Sequence, residues 1–195
     1  MRWISWMTTR LILVCHGSTE ALRTVSFPTD EPLDSEGGLR AAMLARTLPK
    51  TSQCWTSPEA RTRQTAQALR LSADIEPMLR ECDYGAWAGR ALSDVYTHEP
   101  TAVSAWLNDP TSVPHGGEAI ASLMARVDAW LTAAQAHRSE SIVVTHPTII
   151  RAAIVRAIGA PPSSFWRIDI TPLSVRRLSG SHGRWNLAAT GCMEA

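Results

Sequence analysis

The sequence lacks long apolar runs, a strong net charge and paired cysteines. No segment of its 195 residues approaches the roughly 18 consecutive apolar positions that a membrane-spanning helix needs. The net charge is +1 and Lys50 is the single lysine, so the chain has no strong field for nucleic acid or an anionic membrane. The four cysteines contain no C-x-x-C pair, which argues against a zinc site or a disulfide framework, and we expect reduced thiols.

The first residues of the sequence do not resemble a secretory signal. The opening MRWISWMTT has no apolar segment of secretory length, so we expect a cytoplasmic protein. We expect residues 1–9 to be an N-terminal extension and residues 10–195 to form one domain. Within that domain, residues 85–116 are rich in Gly, Pro and Trp and predict an excursion of loops and short helices that serves as a substrate lid.

Apolar patterning predicts alternating strands and helices. The predicted strands are residues 11–14, 53–56, 75–79, 141–145, 165–170, 173–178 and 185–188. The predicted helices cover residues 36–48, 58–71 with Ser57 as N-cap, 118–136, and a last one that starts at Pro147. This order indicates an α/β fold, a three-layer sandwich whose central sheet is mostly parallel with an antiparallel edge.

Two of the predicted strands deliver a histidine. The buried run LILV is followed closely by His16, and the buried run SIVVT leads directly into His146. Open α/β proteins place ligands at the carboxyl edge of the sheet, where these side chains emerge. Arg61, early in a predicted helix, and Glu81, after a predicted strand, belong to the same edge. We expect the four side chains to converge on one cleft.

Four segments of the sequence resemble the histidine phosphatase superfamily, which has the phosphoglycerate mutase-like fold. They are LILVCHGSTE around His16, SPEARTRQTA around Arg61, LRECDYGAWAG around Glu81, and VVTHPTIIR around His146. The acid followed by Tyr-Gly-x-Trp-x-Gly is most similar to small phosphatases such as alpha-ribazole phosphatase. The resemblance therefore favours a phosphatase over a mutase.

The resemblance, with the chemistry of phosphate esters, gives each residue a role. We expect His16 to be the nucleophile that forms a phosphohistidine, and Arg61 and His146 to donate hydrogen bonds to the phosphoryl oxygens. Glu81 is the expected general acid and then base. The resemblance implies no metal and no cofactor, and a small phosphorylated metabolite as the partner. The further predicted substrate-binding residues are Cys15, Gly17, Thr19, Arg23, Trp87 and Thr148.

The chain departs from the family pattern at two positions. Cys15 stands where the family has an arginine, and losing such a donor costs on the order of 100-fold to 1,000-fold in turnover. Pro147 stands where the family has glycine and removes one backbone N–H, although the amides of Thr148 and Ile149 remain available to an anion.

Arg23 is the predicted replacement for the missing arginine, because the turn after His16 could return its guanidinium to the pocket. A solvated loop arginine is the alternative. Cysteine phosphatases carry C-x5-R, and the sixth residue after Cys15 is Ala21, so a cysteine nucleophile is rejected. A catalytically impaired protein that only binds a phosphorylated ligand is the second hypothesis, and a phosphoglycerate mutase-type phosphotransferase is the third. The remaining histidines are expected on the surface or in loops: His98, His115, His137 and His182.

Overall fold

The computed structural model describes residues 8–51 and 53–188, in which strands alternate with helices. The strands are β1 (Thr9–Cys15), β2 (Gln53–Thr56), β3 (Asp74–Ile75), β4 (Glu140–Thr145), β5 (Val175–Ser181) and β6 (Arg184–Leu187). The helices are α1 (Glu20–Arg23), α2 (Ser35–Leu44), α3 (Ala60–Ala68), α4 (Leu92–His98), α5 (Pro100–Asn108), α6 (Ile120–Ala134) and α7 (Pro147–Ile158). Residues 1–7 of the predicted extension lie outside the described residues, as does Cys192, and Thr9 already belongs to β1.

The strands form a single mixed sheet in the order β3-β2-β4-β1-β5-β6. The first four are parallel, and β5 and β6 run antiparallel at one edge. This arrangement confirms the predicted α/β fold with its mostly parallel sheet. No helix in the described ranges is long and apolar enough to cross a membrane.

Two predicted strands are wrong in part or in full. Residues 165–170 were expected to be extended, but Pro162–Arg167 forms a 3-10 helix, because Pro162 fits the first helical position and cannot donate to a sheet ladder. The predicted strand 75–79 shortens to β3, and Pro77–Leu79 is another 3-10 helix that begins at a proline for the same reason. Phe165 is nevertheless fully buried, so its apolar character reflects the core rather than a strand.

β1 divides the core into two halves. Leu11 and Leu13 face the larger half together with residues of α6 and α7, whereas Ile12 and Val14 face a smaller half with residues of α3. Alternate residues of a strand point to opposite faces, so a run buried throughout marks a central strand with helices on both sides. The apolar periodicity of residues 118–136 predicts one apolar face on this helix. In the structure this face of α6 packs in the larger half of the core, with residues Ile120, Leu123, Met124, Val127, Trp130 and Leu131.

The apolar periodicity of residues 36–48 predicts that Leu39, Ala42, Met43 and Leu48 face the core, and this prediction is wrong for α2. Leu39 and Met43 are 70% and 72% exposed, and the buried residues of this helix are Gly37 and Ala41. A Cβ atom at Gly37 would lie 2.5 Å from the carbonyl oxygen of Ser18. Close approach of the helix to the loop after β1 therefore selects small residues, which a search for large apolar side chains does not detect.

α3 begins later than predicted, and Ser57 does not cap it. The helix starts at Ala60, and the side chain of Glu59, at the N-cap position, makes no capping hydrogen bond. The Ser57 hydroxyl instead donates to the Leu79 carbonyl at 2.6 Å and contacts the Thr145 hydroxyl at 2.8 Å. Ser57 thus ties the ends of β2 and β4 to the segment that leads to Glu81.

Candidate active site

The two histidines meet because β1 and β4 are adjacent, parallel and in register. Cys15 pairs with Thr145, so the next residue of each strand, His16 and His146, leaves the sheet at the same level. The His16 amide donates to the Thr145 carbonyl at 2.9 Å, which extends the ladder by one bond. The ring centroids of the two histidines lie 5.3 Å apart, close to the spacing of neighbouring strands. Both side chains are almost fully buried.

His16 is a neutral imidazole with one nitrogen free for chemistry. Its Nδ1 lies 2.7 Å from the carbonyl oxygen of Gly17, which can only accept, so Nδ1 carries the proton and Nε2 keeps its lone pair. Burial, followed by the charges of His146 and Arg61, lowers the pKa of His16 to about 3. The ring is therefore an unprotonated nucleophile at neutral pH.

His146 is held between two carboxylates. Its Nε2 lies 2.6 Å from Glu59 Oε2, and its Nδ1 lies 3.3 Å from Glu81 Oε2 without forming a hydrogen bond. Burial alone would raise the pKa of Glu59, but the hydrogen bond and charge of His146 outweigh it and lower that pKa to about 2. The other Glu59 oxygen accepts from the Glu81 amide at 2.9 Å. Glu59 therefore positions both the ring and the backbone that presents Glu81.

Arg61 is a fully buried cation at the first turn of α3. One terminal nitrogen donates to the Thr29 carbonyl at 2.6 Å and lies 3.6 Å from Glu31 Oε2. The other donates to Glu81 Oε2 at 3.3 Å, and the buried Nε has no hydrogen-bond partner. A guanidinium fixed by several acceptors presents a preorganised fork of donors to an anion.

Glu81 is ionised in this arrangement, contrary to what a general acid requires. Burial favours its neutral form, but the electrostatic effects of His146 and Arg61 outweigh it, and the pKa of Glu81 is lowered. The Thr148 hydroxyl and the Cys82 amide donate to Oε1, which adds to the same shift. The carboxylate is thus poised to accept a proton, and donation requires a change in the surrounding charge.

His16, Arg61 and Glu81 line a pocket of about 190 Å³, whereas His146 contacts the ring of His16 and is not part of the lining. The pocket wall presents the neutral ring of His16, the guanidinium groups of Arg61 and Arg151, and the carboxylates of Glu31 and Glu81. Two cationic forks beside a neutral ring suit a tetrahedral oxyanion with a proton to exchange. One ligand atom each of His16, Glu81 and His146 lie within 4.8 Å of one another, so this trio could also hold a metal ion. The adjacent guanidinium of Arg61 repels a divalent cation, and the site is better suited to an anion.

Comparison with known proteins places the chain in a family. Residues 11–192 match the family model described as histidine phosphatase superfamily (branch 1). The chain belongs to the histidine phosphatase superfamily. Relatives include phosphoserine phosphatase 1 of Hydrogenobacter thermophilus, 30% identical over 168 residues that span 80% of each chain. Another is the adenosylcobalamin/alpha-ribazole phosphatase of Escherichia coli, 29% identical over 83% of this chain and 85% of that protein.

Solved structures support the same assignment. The alpha-ribazole phosphatase of Shigella flexneri superposes with a TM-score of 0.80 at 25% identity and covers 92% of this chain and 94% of its own. The relatives are phosphatases by name, which supports a phosphatase of the histidine phosphatase type. The predicted family and fold are confirmed.

The cysteine that departs from the histidine phosphatase pattern is buried in the larger half of the core, near the charged groups of the pocket. Cys15 is fully buried and packs with Leu11 and Leu13. Burial, followed by the nearby Glu81 charge, raises the pKa of its thiol to about 12. The side chain is therefore a neutral thiol, which supplies neither a cation nor a thiolate nucleophile. Its predicted direct contact with substrate is not supported, since Cys15 does not line the pocket.

Two other predicted substrate-binding residues lie elsewhere. The guanidinium of Arg23 is exposed and pairs with Glu20 one turn earlier on α1, because the i, i+3 spacing places the two side chains side by side. Trp87 is fully buried, and its Nε1 donates to Glu99 Oε2 at 2.9 Å. Neither residue lines the pocket, so Arg23 does not replace the missing arginine in this structure, and Trp87 is a core residue of the segment predicted to be a lid.

The remaining predicted binding residues surround the pocket in different ways. Thr19 lines it and caps α1 by accepting from the Leu22 amide at 3.3 Å. The Gly17 amide donates to the Thr65 hydroxyl at 3.0 Å, which fixes the loop after His16. Thr148 acts on Glu81 through its hydroxyl. The three residues therefore position the pocket, and contact of Thr148 with substrate stays a prediction.

Sequence reasoning missed Glu59 and Arg151. Arg151 lines the pocket from α7, and its Nε donates to the Ile168 carbonyl at 2.8 Å. Its guanidinium carbon lies 5.5 Å from the centre of the Trp166 ring, and no carboxylate of the described chain forms a salt bridge with it. The available signal was the i, i+4 spacing of Arg151 from Pro147, which places the two residues on one face of α7. His115 was expected at the surface but is buried, with its ring centroid 5.0 Å from that of Trp87.

Proposed function

We propose that the protein is a metal-independent phosphomonoesterase that hydrolyses a small phosphorylated metabolite through a phosphohistidine on His16. One observation carries the proposal: the Gly17 carbonyl holds Nδ1 of His16, and burial keeps the ring neutral, so the Nε2 lone pair is available beside Arg61. A neutral imidazole next to fixed cationic donors is the combination that in-line attack on a phosphomonoester requires.

The first half of the reaction forms the phosphoenzyme. Nε2 of His16 bonds to phosphorus while the bond from phosphorus to the ester oxygen breaks, and the departing alkoxide takes a proton from Glu81. In the free protein Glu81 is ionised by nearby positive charge. A phosphate dianion beside Arg61 and His146 offsets that charge, and burial then favours the neutral acid. On substrate binding Glu81 therefore takes up one proton from solvent, and this is the proton that it donates to the departing alkoxide.

The second half regenerates the free histidine. Water attacks phosphorus, the bond to Nε2 breaks, and Glu81, now ionised, accepts the proton of the attacking water. The product is inorganic phosphate.

Arg151 is the residue that we propose to take over the task of the missing arginine. Arg61 is shared among Thr29, Glu31 and Glu81, whereas the terminal nitrogens of Arg151 have no hydrogen-bond acceptor among the described residues. The positive charge of Arg151 also acts on the pKa of the Cys15 thiol, which it lowers against the larger effect of burial. The guanidinium of Arg151, on α7, can thus donate to the phosphoryl oxygens the hydrogen bonds that an arginine at position 15 would supply.

A protein that binds a phosphorylated ligand without turnover is the second candidate, because Cys15 is a neutral, buried thiol at a donor position. Rapid quench with 32P-labelled esters separates the two. We expect acid-labile phosphate on His16 in the native protein and none in His16→Asn. His182→Asn, an exposed histidine at the turn between β5 and β6, is the matched control.

The substrate panel is assayed with a chelator present. The panel contains phosphoserine and alpha-ribazole 5′-phosphate, because relatives are named as phosphatases of these esters, together with aryl and sugar phosphates. Turnover that persists with chelator supports the metal-independent mechanism, and turnover restored only by added divalent metal contradicts it. Absence of both phosphohistidine and phosphate release across the panel favours the binding protein.

A further inference from the structure

The 190 Å³ pocket lined by His16, Arg61 and Glu81 is called the phosphate pocket below. A larger cavity of about 940 Å³ opens beside it. Five residues line both spaces: Ala21, Leu22, Ser26, Pro28 and Tyr84. Because the two share a wall, a molecule whose phosphate lies at His16 can extend the other side of its ester oxygen into the larger space. We name this space the apolar cavity.

The lining of the apolar cavity contains no charged side chain and no histidine. Aromatic side chains form much of this lining. The ring centroid of Trp106 lies 4.5 Å from that of Trp166 and 5.7 Å from that of Phe27. Large apolar pockets of this volume are typical of sites for small molecules, and their few polar groups fix orientation. Here the orienting group is the neighbouring phosphate site.

Exposed apolar side chains concentrate at the rim of this cavity. The described chain has eleven large apolar residues with substantial exposure, and five of them line it: Leu22, Val25, Leu92, Tyr96 and Leu107. Contiguous exposed apolar surface marks a site that becomes covered in use. Since the surface continues into the phosphate pocket, its occupant is the rest of the substrate rather than a separate partner.

Val25 shows that this rim is not arranged for stability. It is 63% exposed and has a φ of 51°. A β-branched residue in the left-handed region is strained, whereas Asn or Gly adopts that conformation readily. An exposed valine at such a position adds apolar surface to the cavity at a conformational cost that a polar residue would avoid.

We propose that the apolar cavity binds the alcohol part of the substrate, and that this part is a bulky aromatic or branched apolar group. The proposal rests on the proposed phosphatase function and names its substrate class. The phosphate pocket holds the phosphoryl group at His16, and the apolar cavity selects the ester by burying its apolar body. Small polar esters, which leave the cavity filled with water, are poor substrates.

The test compares phenyl phosphate with 2-naphthyl phosphate. Their leaving groups have similar acidity, so a difference in kcat/KM reports the additional apolar surface of the second ring. We expect a preference for the naphthyl ester on the order of 10-fold to 100-fold. Calorimetric binding of 2-naphthylmethylphosphonate against methylphosphonate gives a second readout that needs no turnover, so a failed phosphatase function does not hide the result.

The double substitution Val25→Asn, Leu107→Asn removes apolar surface from the rim at two exposed positions and relieves the strain at Val25. We expect it to abolish most of the naphthyl preference and to affect the phenyl ester less. Ile158→Asn, which removes an exposed apolar side chain at the end of α7, is the matched control and leaves both esters unchanged.

Equal kcat/KM and equal phosphonate affinity for the small and large compounds would overturn the proposal. A preference that survives the double substitution would also overturn it, because the selecting surface would then lie elsewhere. Sedimentation velocity provides the last arm. A dimer that the double substitution dissociates, without any ester preference in the native protein, would assign the apolar surface to a second copy of the chain.

Discussion

The phosphate pocket and the apolar cavity share a wall but differ in origin and chemistry. The phosphate pocket is built at the carboxyl ends of β1, β2 and β4, where the chain delivers charged and titratable groups that hydrogen-bond to one another. The apolar cavity is built from the segment after α1 and from α4 and α5, which lie outside the sheet. Under the two proposals above, the sheet edge carries the reaction, and α4 and α5 carry the choice of ester.

The two regions also differ in how they respond to change. In the phosphate pocket, Glu81 contacts Arg61, His146 and Thr148 at once, so removing one partner leaves a buried charge without compensation. Side chains at the rim of the apolar cavity are partly exposed, so a substitution there replaces one contact with a contact to water and leaves no buried charge. Substitutions should therefore have large effects in the first region and graded effects in the second.

The largest effect is expected at Arg61. Arg61→Met keeps the length of the side chain but removes the fork of donors and leaves Glu81 and Glu31 without their buried cation. We expect kcat/KM to fall by on the order of 1,000-fold, and the free energy of unfolding to fall by about 3 to 5 kcal/mol. Steady-state kinetics and urea unfolding measure the two effects.

Arg63→Met is the matched control, since Arg63 lies on the same helix with its side chain exposed. It should change neither quantity. If Arg61→Met retained near-native kcat/KM, the charged pocket would not be the reaction site, and the contrast between the two regions would fail.

The next effect is expected at Arg151. Arg151→Met keeps an unbranched apolar side chain on α7 and removes the guanidinium from the pocket wall and from the Trp166 ring. We expect kcat/KM to fall by about 100-fold and vanadate to bind more weakly, with little change in thermal midpoint. Arg156→Met, an exposed arginine on the same helix that pairs with Asp128, should leave kcat/KM unchanged.

Restoring the family arginine separates a donor role from a packing role. If Arg151 supplies the guanidinium missing at position 15, Cys15→Arg should recover activity in the Arg151→Met background. In the native background the two like charges would repel one another, and the gain should be smaller. The same gain in both backgrounds would contradict the replacement.

The phosphate pocket was more predictable from sequence than the apolar cavity, and the reason is physical. His16 and His146 follow buried runs, and parallel strands in register bring their ends together. Arg151 and Glu59 were missed because their roles depend on which helix faces the pocket, a property of tertiary packing. The burial of Trp87 and the exposure of Leu39 likewise depend on how the excursion 85–116 and α2 pack, which periodicity does not specify.

A smaller effect concerns the stability that the buried neutral His16 makes dependent on pH. Its pKa is lowered from 6.5 to about 3, so between these values the unfolded chain binds a proton that the folded protein does not. Stability is therefore fully present above about pH 6.5 and is lost as pH falls. Between pH 6.5 and 4.5 the free energy of unfolding of the native protein should fall more steeply than that of His16→Asn, by up to about 1.4 kcal/mol per pH unit.

Urea unfolding at intervals of half a pH unit measures this slope. The pKa of Glu59 is lowered from 4.5 to about 2, so its own loss of stabilisation occurs below the chosen window and does not interfere. His182 has an exposed ring, so His182→Asn should show the same dependence of the free energy of unfolding on pH as the native protein. Parallel curves for the native protein and His16→Asn would contradict a neutral, buried His16.

The smallest effect is expected at Arg23, which lies beside both regions but belongs to neither. Ala21 and Leu22, its neighbours on α1, line both spaces, whereas its own guanidinium extends into solvent and pairs with Glu20. An exposed ion pair is screened and contributes little, so Arg23→Ala and Glu20→Ala should each leave kcat/KM and vanadate affinity within about 2-fold of native. A clear loss of vanadate affinity in Arg23→Ala, but not in Glu20→Ala, would mean that the arginine leaves its ion pair when an anion binds. Arg23 would then join Arg151 in the phosphate pocket, and the boundary between the two regions would move to include α1.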